Sequence, residues 1–500
     1  MAVGTQGPFT AKAGYQGTET YAVEVTIYSH RDDVIVGPRP YTLYFSGKSE
    51  RDVKASVVSL ATDKTLGGTA GTFTVELKDP TGTLMDSLVD DDWIDISVNM
   101  NGQWFHVLRG IIETFRLNTS TSGKGATTRT VVITGKDFGA IFEKTTVWFN
   151  QYGGENLAAM ETKEIFRSKN AVNLTVDEVV KSILYGFIGK LTSLRPPRSN
   201  WLPPSHIPGA KDTLEEMILF SGANFTDNPH RVSVAPTLMD PQGQGLWALA
   251  QEWSDPQVCE LFCDLVDVTG NQLAPGVENT LETTRMGIIF RDRPFVTAFG
   301  GPTDAQPYFK LPLVELAPQA ITQQSVGKGG LERFNAYFAS PQAIMQLSAT
   351  KLDLHGPLWD LADVNRHGMR SMTVDSRYVS NGAGANQLFT MSKTYRQIVM
   401  NHHCLNPYLL SGTIALAMLR PDIRVGTRLR VKGRDPSEDV TYYVEQVSHS
   451  WRLNAGTTSL GVTRGWKGTD EAHLAVVEGL DQRYVMNLSD GVKAIPPAEL

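Results

Sequence analysis

At 500 residues, 41% of them hydrophobic and 20% charged, the chain is long enough for about three or four domains and can bury their cores. Its 46 Lys and Arg against 53 Asp and Glu give a net charge of −7, which argues against wrapping a nucleic acid, since that needs a basic footprint. Three cysteines cannot build a disulfide framework, which fits assembly in a reducing cytoplasm. No stretch approaches the roughly 18 to 20 apolar residues of a membrane span, and Met1 to Thr20 has neither the basic start nor the apolar core of a secretory signal.

Tyr21 to Tyr28 alternates apolar and polar residues, as does Phe73 to Leu77. Ile94, Ile96, Val98 and Met100 alternate with Asp95, Ser97 and Asn99; Asn101-Gly102 follows, and Trp104 to Leu108 reads as the return strand. Asn-Gly between two such runs predicts a two-residue type I′ hairpin, because both turn positions need positive φ. Gly110 to Leu117, a polar loop at Asn118 to Thr127 and the alternating run Arg129 to Thr134 complete an antiparallel unit of barrel or sandwich type.

From about Asn150 the pattern changes. Val176, Val179, Val180, Ile183, Leu184, Phe187 and Ile188 form a stripe at helical spacing, and Thr175 with Glu178 has capping-box spacing. Prolines at 196, 197, 203, 204 and 208 then impose an extended loop. Shorter helices are expected over Asp212 to Phe220, Gly245 to Trp253 and Asp255 to Leu265, the last with Asp255 as N-cap and Pro256 at its first position. Met286 to Arg291 reads as a buried strand. Towards the C-terminus, Ser392 to Asn406 is a helix, Thr413 to Leu419, Val440 to Val447 and Thr458 to Val462 are strands, and Pro421 to Val431 turns at Val425-Gly426 into another strand.

Phe115-Arg116-Leu117-Asn118, a polar loop, Thr127-Thr128 and a strand into Thr134-Gly135 are echoed by Trp451-Arg452-Leu453-Asn454, a shorter loop, Thr457-Thr458 and a strand into Arg464-Gly465. The shared order points to a duplicated β unit whose copies are separated by inserted domains.

Several clusters invite a chemical reading. Cys259 and Cys263, one helical turn apart on the expected helix, and His402-His403-Cys404 lack the ligand number and CxxC pairing of a zinc site; they read as packing residues. Asp90-Asp91-Asp92 reads as a solvated turn, and Gly327-Lys328-Gly329-Gly330 as a flexible turn without Walker spacing. Trp93, Trp104, Trp451 and Trp466 fall on strands or strand ends and are assigned to core filling. No catalytic, cofactor-binding or metal-binding residue is assigned, and the chain is not read as an enzyme.

The run Tyr442 to Trp466 resembles the closing segment of contractile-tail phage baseplate hub proteins, the late-control-protein-D type, and of the hub half of type VI secretion spike proteins. The matching positions are Tyr443, Val444, Val447, His449, Trp451, Thr458, Leu460, Val462, Arg464 and Gly465. Further similar stretches, in the same order, are Leu246 to Asp264 with Glu260-Leu261-Phe262, Glu332-Arg333-Phe334-Asn335, and Ser411-Gly412-Thr413 through Pro421-Asp422-Ile423-Arg424-Val425-Gly426. Departures are Met1 to Thr20, the proline-rich loop and the tail after Lys467, and no spike β-helix or lysozyme-like segment follows.

The resemblance implies an α+β, mainly β fold with two related tube-like antiparallel β-barrels and α/β insertion domains between and within them. The expected division is an N-terminal arm at 1–20, a first barrel at 21–149 and an α/β insertion at 150–316. The second barrel is expected at 317–345 and 410–466, an inserted subdomain with a helix at 346–409 and a C-terminal tail at 467–500. It further implies a homotrimer in the virion's tail baseplate, assembled in the host cytoplasm. That trimer would adapt a sixfold tail tube above to a threefold spike below and form part of the DNA-ejection channel. Its expected partners are the tube protein, the spike protein, the tape-measure protein in the lumen and surrounding baseplate proteins, with no sequence-specific nucleic-acid binding and no membrane insertion. The alternative class is a tail-associated lytic enzyme or polysaccharide-binding module, which would need an acid/base carboxylate pair in a cleft.

Overall fold

In a computed structural model of the chain, the described residues are 21–33, 37–48, 57–121, 127–146, 177, 180–181, 183–184, 218–222, 245–254, 256–257, 259–294, 307–329, 333–341, 358–376, 396, 399–400, 402–452, 455–473 and 484–485. The arm at 1–20, the proline-rich loop and most of the 467–500 tail lie outside them.

The first β unit comprises β1 (Tyr21–Asp33), β2 (Gly37–Lys48), β3 (Val57–Thr65), β4 (Thr72–Lys78), β5 (Trp93–Met100), β6 (Gln103–Thr121) and β7 (Thr127–Asp137). The β5–β6 hairpin turns at Asn101-Gly102, whose φ values of 54° and 92° are those the two-residue turn demands. Inward-facing Val23, Val25, Ile27, Val75, Leu77, Ile94, Ile96, Val131 and Ile133 build one buried core, as the period of two dictates. A short helix, α1 (Ala140–Lys144), follows.

A three-stranded sheet comes next, in the order β8 (Ile218–Gly222), β10 (Thr284–Asp292), β9 (Cys259–Asp267), with α2 (Leu246–Ser254) beside it. Two sequence expectations change here. Cys259–Asp267 is a strand, not the end of a helix, and Ile218–Phe220 belongs to β8 rather than to a helix. Both faces of β9 are buried, one of them with Glu260 and Asp264 among its apolar residues, so the run carries no clear period to separate helix from strand. By contrast α2, with its stripe of Leu246, Trp247, Leu249, Ala250 and Trp253, and β10 form where expected. Of the expected helix after Thr175, the described residues Asp177, Val180, Lys181, Ile183 and Leu184 are helical, and Val180, Ile183 and Leu184 are buried.

The second β unit contains β11 (Leu313–Leu316), preceded by α3 (Pro307–Lys310), then β12 (Ile321–Gly327), β16 (Leu410–Leu416), β17 (Arg428–Val431), β18 (Val440–Arg452) and β19 (Ala455–Lys467). The turn expected at Val425-Gly426 is present, with Gly426 at φ 75°, and the strand expected after it is β17. Its core is Val314, Leu316, Ile414, Leu416, Leu429, Tyr442, Val444, Leu460 and Val462, closed from the three-stranded sheet by Phe262, Val266 and Ile289. Gly465 is required where Tyr442 crosses it, because a Cβ there would lie 2.4 Å from the tyrosine ring. A third sheet, β15 (Ser371–Ser376), β13 (Ala336–Pro341), β14 (Leu358–Asp360), β20 (Tyr484–Val485), carries α4 (Leu361–His367), capped by Asp360. Among the described residues of the expected 392–406 helix, Arg396, Val399, Met400, His402 and His403 are helical.

The two β units are joined edge to edge. Their strands form one 13-stranded sheet in the order β12-β16-β19-β18-β3-β4-β7-β6-β5-β1-β2, with β17 on the β18 edge and β11 on β17. Among the described residues no ladder closes either half on itself.

Within that sheet a motif recurs. The path β3-β4-β7-β6-β5 of the first unit matches β12-β16-β19-β18-β17 of the second, strand for strand, with the same chain order and all pairings antiparallel. Two of the pairing irregularities match as well. Pairing skips Glu113 in β6 and Glu445 in β18, and it skips Val58 in β3 and Thr322 in β12. Equivalent bulges at equivalent places mark a duplication, since bulges are built features of a strand.

The sequence echo is nevertheless out of register. Phe115 pairs with Ile133 well inside its hairpin, whereas Trp451 pairs with Gly456 one step from the tip. The matched bulges make Val447, not Trp451, the counterpart of Phe115. Leu117, expected to share a core position with Leu453, is 42% exposed, and Leu453 lies outside the described residues. Thr458 likewise pairs with His449 and corresponds to Val131, not to Thr128.

Candidate functional site

The place where the fold concentrates polar chemistry is the junction of the two β units with the three-stranded sheet. Strand β18 creates it. Val440–Tyr443 pairs with β17 inside its own unit, and beyond the bulge at Glu445 the same edge, Gln446–Arg452, takes β3 of the first unit. Asp63 of β3 accepts hydrogen bonds from Gln446 Nε2 at 2.9 Å and from the Ser448 hydroxyl. Trp451, opposite Leu60, is 1% exposed and packs in the first unit's core although it belongs to the second.

Three buried ion-pair groups brace this seam. In the first, Arg109 of β6 donates to both oxygens of Asp95 on β5, at 2.7 and 3.0 Å, while His106 Nε2 lies 3.0 Å from Asp95 and Nδ1 lies 2.6 Å from the Thr284 hydroxyl. Burial opposes ionisation of Asp95, but Arg109 and His106 more than offset it and hold the carboxyl well below the usual range. The backbone of β6 is stitched to the segment before β10 by His106 N to Asn279 O at 2.9 Å and Asn279 N to Trp104 O at 3.0 Å.

In the second group, Arg424 Nη1 donates to Asp264 of β9 at 2.9 Å, and its Nη2 donates to the carbonyl of His106. Lys64 of β3 pairs with Asp137 of β7 nearby. A cavity of about 40 Å³ lies between them, lined in part by Lys64, Asp137, Asp264, Arg424 and His449. In the third, Arg291 of β10 donates to Glu260 of β9, to the Tyr443 oxygen and to the Gly426 carbonyl, each at 3.0 Å; the Tyr443 hydroxyl in turn donates to Glu260 at 2.7 Å. Burial and the Glu260 carboxylate push the Tyr443 phenol well up, so it stays protonated and donating.

Each carboxylate in these groups faces a guanidinium or ammonium, and each group spans two or three of the packed units. The chemistry is that of a brace, in which paired charges with fixed geometry specify one relative placement of the units. Removing one partner would leave its mate as an uncompensated buried charge.

The residues singled out by sequence lie elsewhere or act differently. Cys259 and Cys263 are both buried on β9, four residues apart on an extended strand rather than one helical turn apart. His402 and His403 are buried; His402 Nδ1 lies 3.4 Å from the Gln257 carbonyl, and the His403 ring meets Phe334 edge-on. Among the described residues no three His, Cys, Asp or Glu side chains converge on a metal position. The Asp90 to Asp92 triplet is a turn with Asp91 at φ 64° and bonded to Lys144 at 2.7 Å, but Asp92 is buried and caps the Val89 amide. Gly327 ends β12, and Lys328 and Gly329 follow it in no regular element. Trp93 is buried in a core, Trp104 is half-buried, and Trp466 stacks on His473 at 4.5 Å.

Among the positions of the family resemblance, Glu260, Asp264, Arg424 and Tyr443 enter the brace. Asp95, His106, Arg109 and Arg291 were not singled out. Their one sequence signal is a polar residue at a position the strand buries, and burial becomes visible only once the strands are packed.

The buried imidazoles set an acid limit on stability. Burial, followed by the Arg424 guanidinium, pushes His449 down to about 4, and burial with Arg464 holds His473 at about 4. A folded value below the ordinary 6.5 means the unfolded chain takes up the proton first, so this stabilisation is present above pH 6.5 and is lost as pH falls through about 4. Melting temperature measured against pH should be flat just above 6.5 and fall progressively from there towards 4.

No family model and no curated protein matches the chain. Solved structures to which it is similar include the tail protein from Neisseria meningitidis MC58, at 13% identity over 89% of this chain and 96% of that one, with a TM-score of 0.45. The 43 kDa tail protein of prophage MuSo2 from Shewanella oneidensis is similar at 10% identity over 88% and 98%, with a TM-score of 0.43. The lidded Francisella PdpA-VgrG complex is similar at 8% identity over 89% of this chain and 53% of that chain, with a TM-score of 0.42.

Proposed function

We propose that this chain is the structural hub of a contractile-tail baseplate, a homotrimer whose six β units form a ring between a sixfold tail tube and a threefold spike. The observation that supports it is the strand path β3-β4-β7-β6-β5 repeated as β12-β16-β19-β18-β17 within one chain. Three chains that each carry two like units present six similar surfaces, so a closed threefold ring can meet a sixfold neighbour without breaking symmetry. In this reading the ring contributes part of the DNA-ejection channel, with tube protein above, spike protein below, tape-measure protein in the lumen and other baseplate proteins around it. The segments between α1 and α3 and between β12 and β16 are insertions hung on the ring units, and the role is structural rather than enzymatic.

Light scattering on the purified chain, alone and with its spike partner, tests this reading. A species of three chain masses is expected at least in the presence of the spike partner, which can supply stability that isolated chains lack. Only monomers or dimers under both conditions would end the hub reading.

A further inference from the structure

The duplication exposes an asymmetry. In the second unit the far half of β18, Gln446–Arg452, has its outer edge occupied by β3. In the first unit the corresponding half of β6 has no such partner. Strand β5 accompanies β6 only as far as Ile111, the Asp92 backbone bonds Ile112, and from Glu113 to Thr121 the edge away from β7 has no backbone partner among the described residues. Conversely β3 spends its outer edge on β18, whereas its counterpart β12 pairs, among the described residues, with β16 alone. One chain thus carries an unfilled copy of each side of the junction it has already made once inside itself.

We propose that the outer edge of β12 in one copy of this chain pairs antiparallel with the outer edge of β6 in a second copy, repeating between chains the β3–β18 junction found within the chain. The matched bulges define the register. Glu113 and Glu445 equate Leu117 with His449, and Val58 and Thr322 equate Val326 with Thr62. Because His449 pairs with Thr62, Leu117 of one chain pairs with Val326 of the next. By the same mapping Thr119 pairs with Gln324 and Phe115 with Lys328.

Side-chain chemistry agrees with this register. Leu117 is one of the few large apolar side chains among the described residues that stand open to solvent, and Val326 is a half-buried valine at the rim of the second unit's core. Opposed on one face of a strand pair, they cover each other. Gln324, on the same face of β12 as Val326, already reaches inward to the Tyr442 hydroxyl at 2.9 Å, so this face continues the core face. Neither edge contains proline, and Glu113 and Arg116 are the only charges on the β6 segment. The strand at the far end of the main path from β12, β2, carries Pro38 and Pro40, which lack the N–H that an added strand needs. A contact between two different edges is heterologous, so it propagates head to tail, and it closes a ring when the rotation between successive copies is a whole fraction of a turn. The number of chains in that ring rests on the hub reading; the identity of the paired strands does not.

The test is disulfide trapping in the full-length chain. Directly opposed residues of an antiparallel pair have Cα atoms roughly 4.5 to 5.5 Å apart, inside the span a disulfide bridges. Leu117→Cys combined with Val326→Cys should give covalent multimers on mild oxidation, ending at a closed trimer and collapsing to monomer on reduction. Either single variant should give none of that ladder, because native Cys259, Cys263 and Cys404 are buried. Leu117→Cys with Ser325→Cys serves as the slipped control, since neighbouring residues face opposite sides of a strand. Cross-linking of this control in place of the first pair overturns the register. A trimer by light scattering with neither pair cross-linking overturns the strand pairing while leaving the hub reading intact. A chain that neither self-associates nor cross-links removes both.

Discussion

Replacing Trp451 by Ala is expected to lower the unfolding free energy by about 3 to 5 kcal/mol, the range for emptying a buried aromatic site. The side chain is 1% exposed and is among the largest the fold buries completely. Its position makes the loss more than local. Trp451 is carried by β18 of the second unit, yet it packs with Leu60, Leu419 and the other core residues of the first. The resulting cavity would therefore open at the seam, and the two units should lose part of their cooperativity along with stability. Chemical denaturation followed by circular dichroism reads both, as a lower midpoint and a broadened or split transition. Trp451→Phe should recover much of the loss, because it refills most of the volume, and the indole Nε1 makes no hydrogen bond with the described residues whose removal would add a cost. A loss below about 1 kcal/mol for the alanine variant would mean that the ring does not fill the first unit's core.

The second large effect is expected at Asp95. Asp95→Asn keeps the volume but removes the charge that Arg109 and His106 face, leaving a buried guanidinium without its counter-ion. Breaking a buried pair in this way costs about 3 to 5 kcal/mol. The exposed pair Lys144–Asp91 provides the contrast, with an expected cost of at most about 1 kcal/mol for Asp91→Asn. The reason is the surroundings rather than the bond lengths, which match at 2.7 Å in both pairs. Water screens and re-solvates the exposed pair, whereas Arg109 is 4% exposed and far less screened. Denaturation midpoints of the two variants, measured side by side, should differ by several-fold in their shift. Equal small shifts would show that the first group of the brace carries little of the junction.

Much of the local structure was legible from the chain alone. Alternation placed β1, β4, β5 and β7, and it placed the parts of β6, β16, β18 and β19 that carry it. Asn101-Gly102 named its own turn, because few residues tolerate positive φ twice in succession. Trp247, Ala250 and Trp253 on one stripe marked α2. These signals are local: a strand or helix face records in its own residues which side is covered. Where both sides are covered the record vanishes. Cys259–Asp267 accordingly reads equally well as helix or strand, and only its pairing with β10 decides the matter.

The partners of each strand were not legible, and neither was the register of the copies. The four-residue echo placed Trp451 on Phe115, although the pairings equate Phe115 with Val447. A motif match compares residue types, while a register is set by hydrogen bonds between segments far apart in sequence. The brace was hidden for the same reason. Asp95 alternates with Ile94 and Ile96 as an outward-facing strand residue should, and it is buried because the segment before β10 and the 421–426 turns pack over that face. The chain by itself determined which segments are extended and which side of each is apolar, because the period of two is written residue by residue. Only the tertiary structure decided that β18 leaves β17 for β3 at Glu445, because that exchange depends on which of two edges the first unit brings alongside.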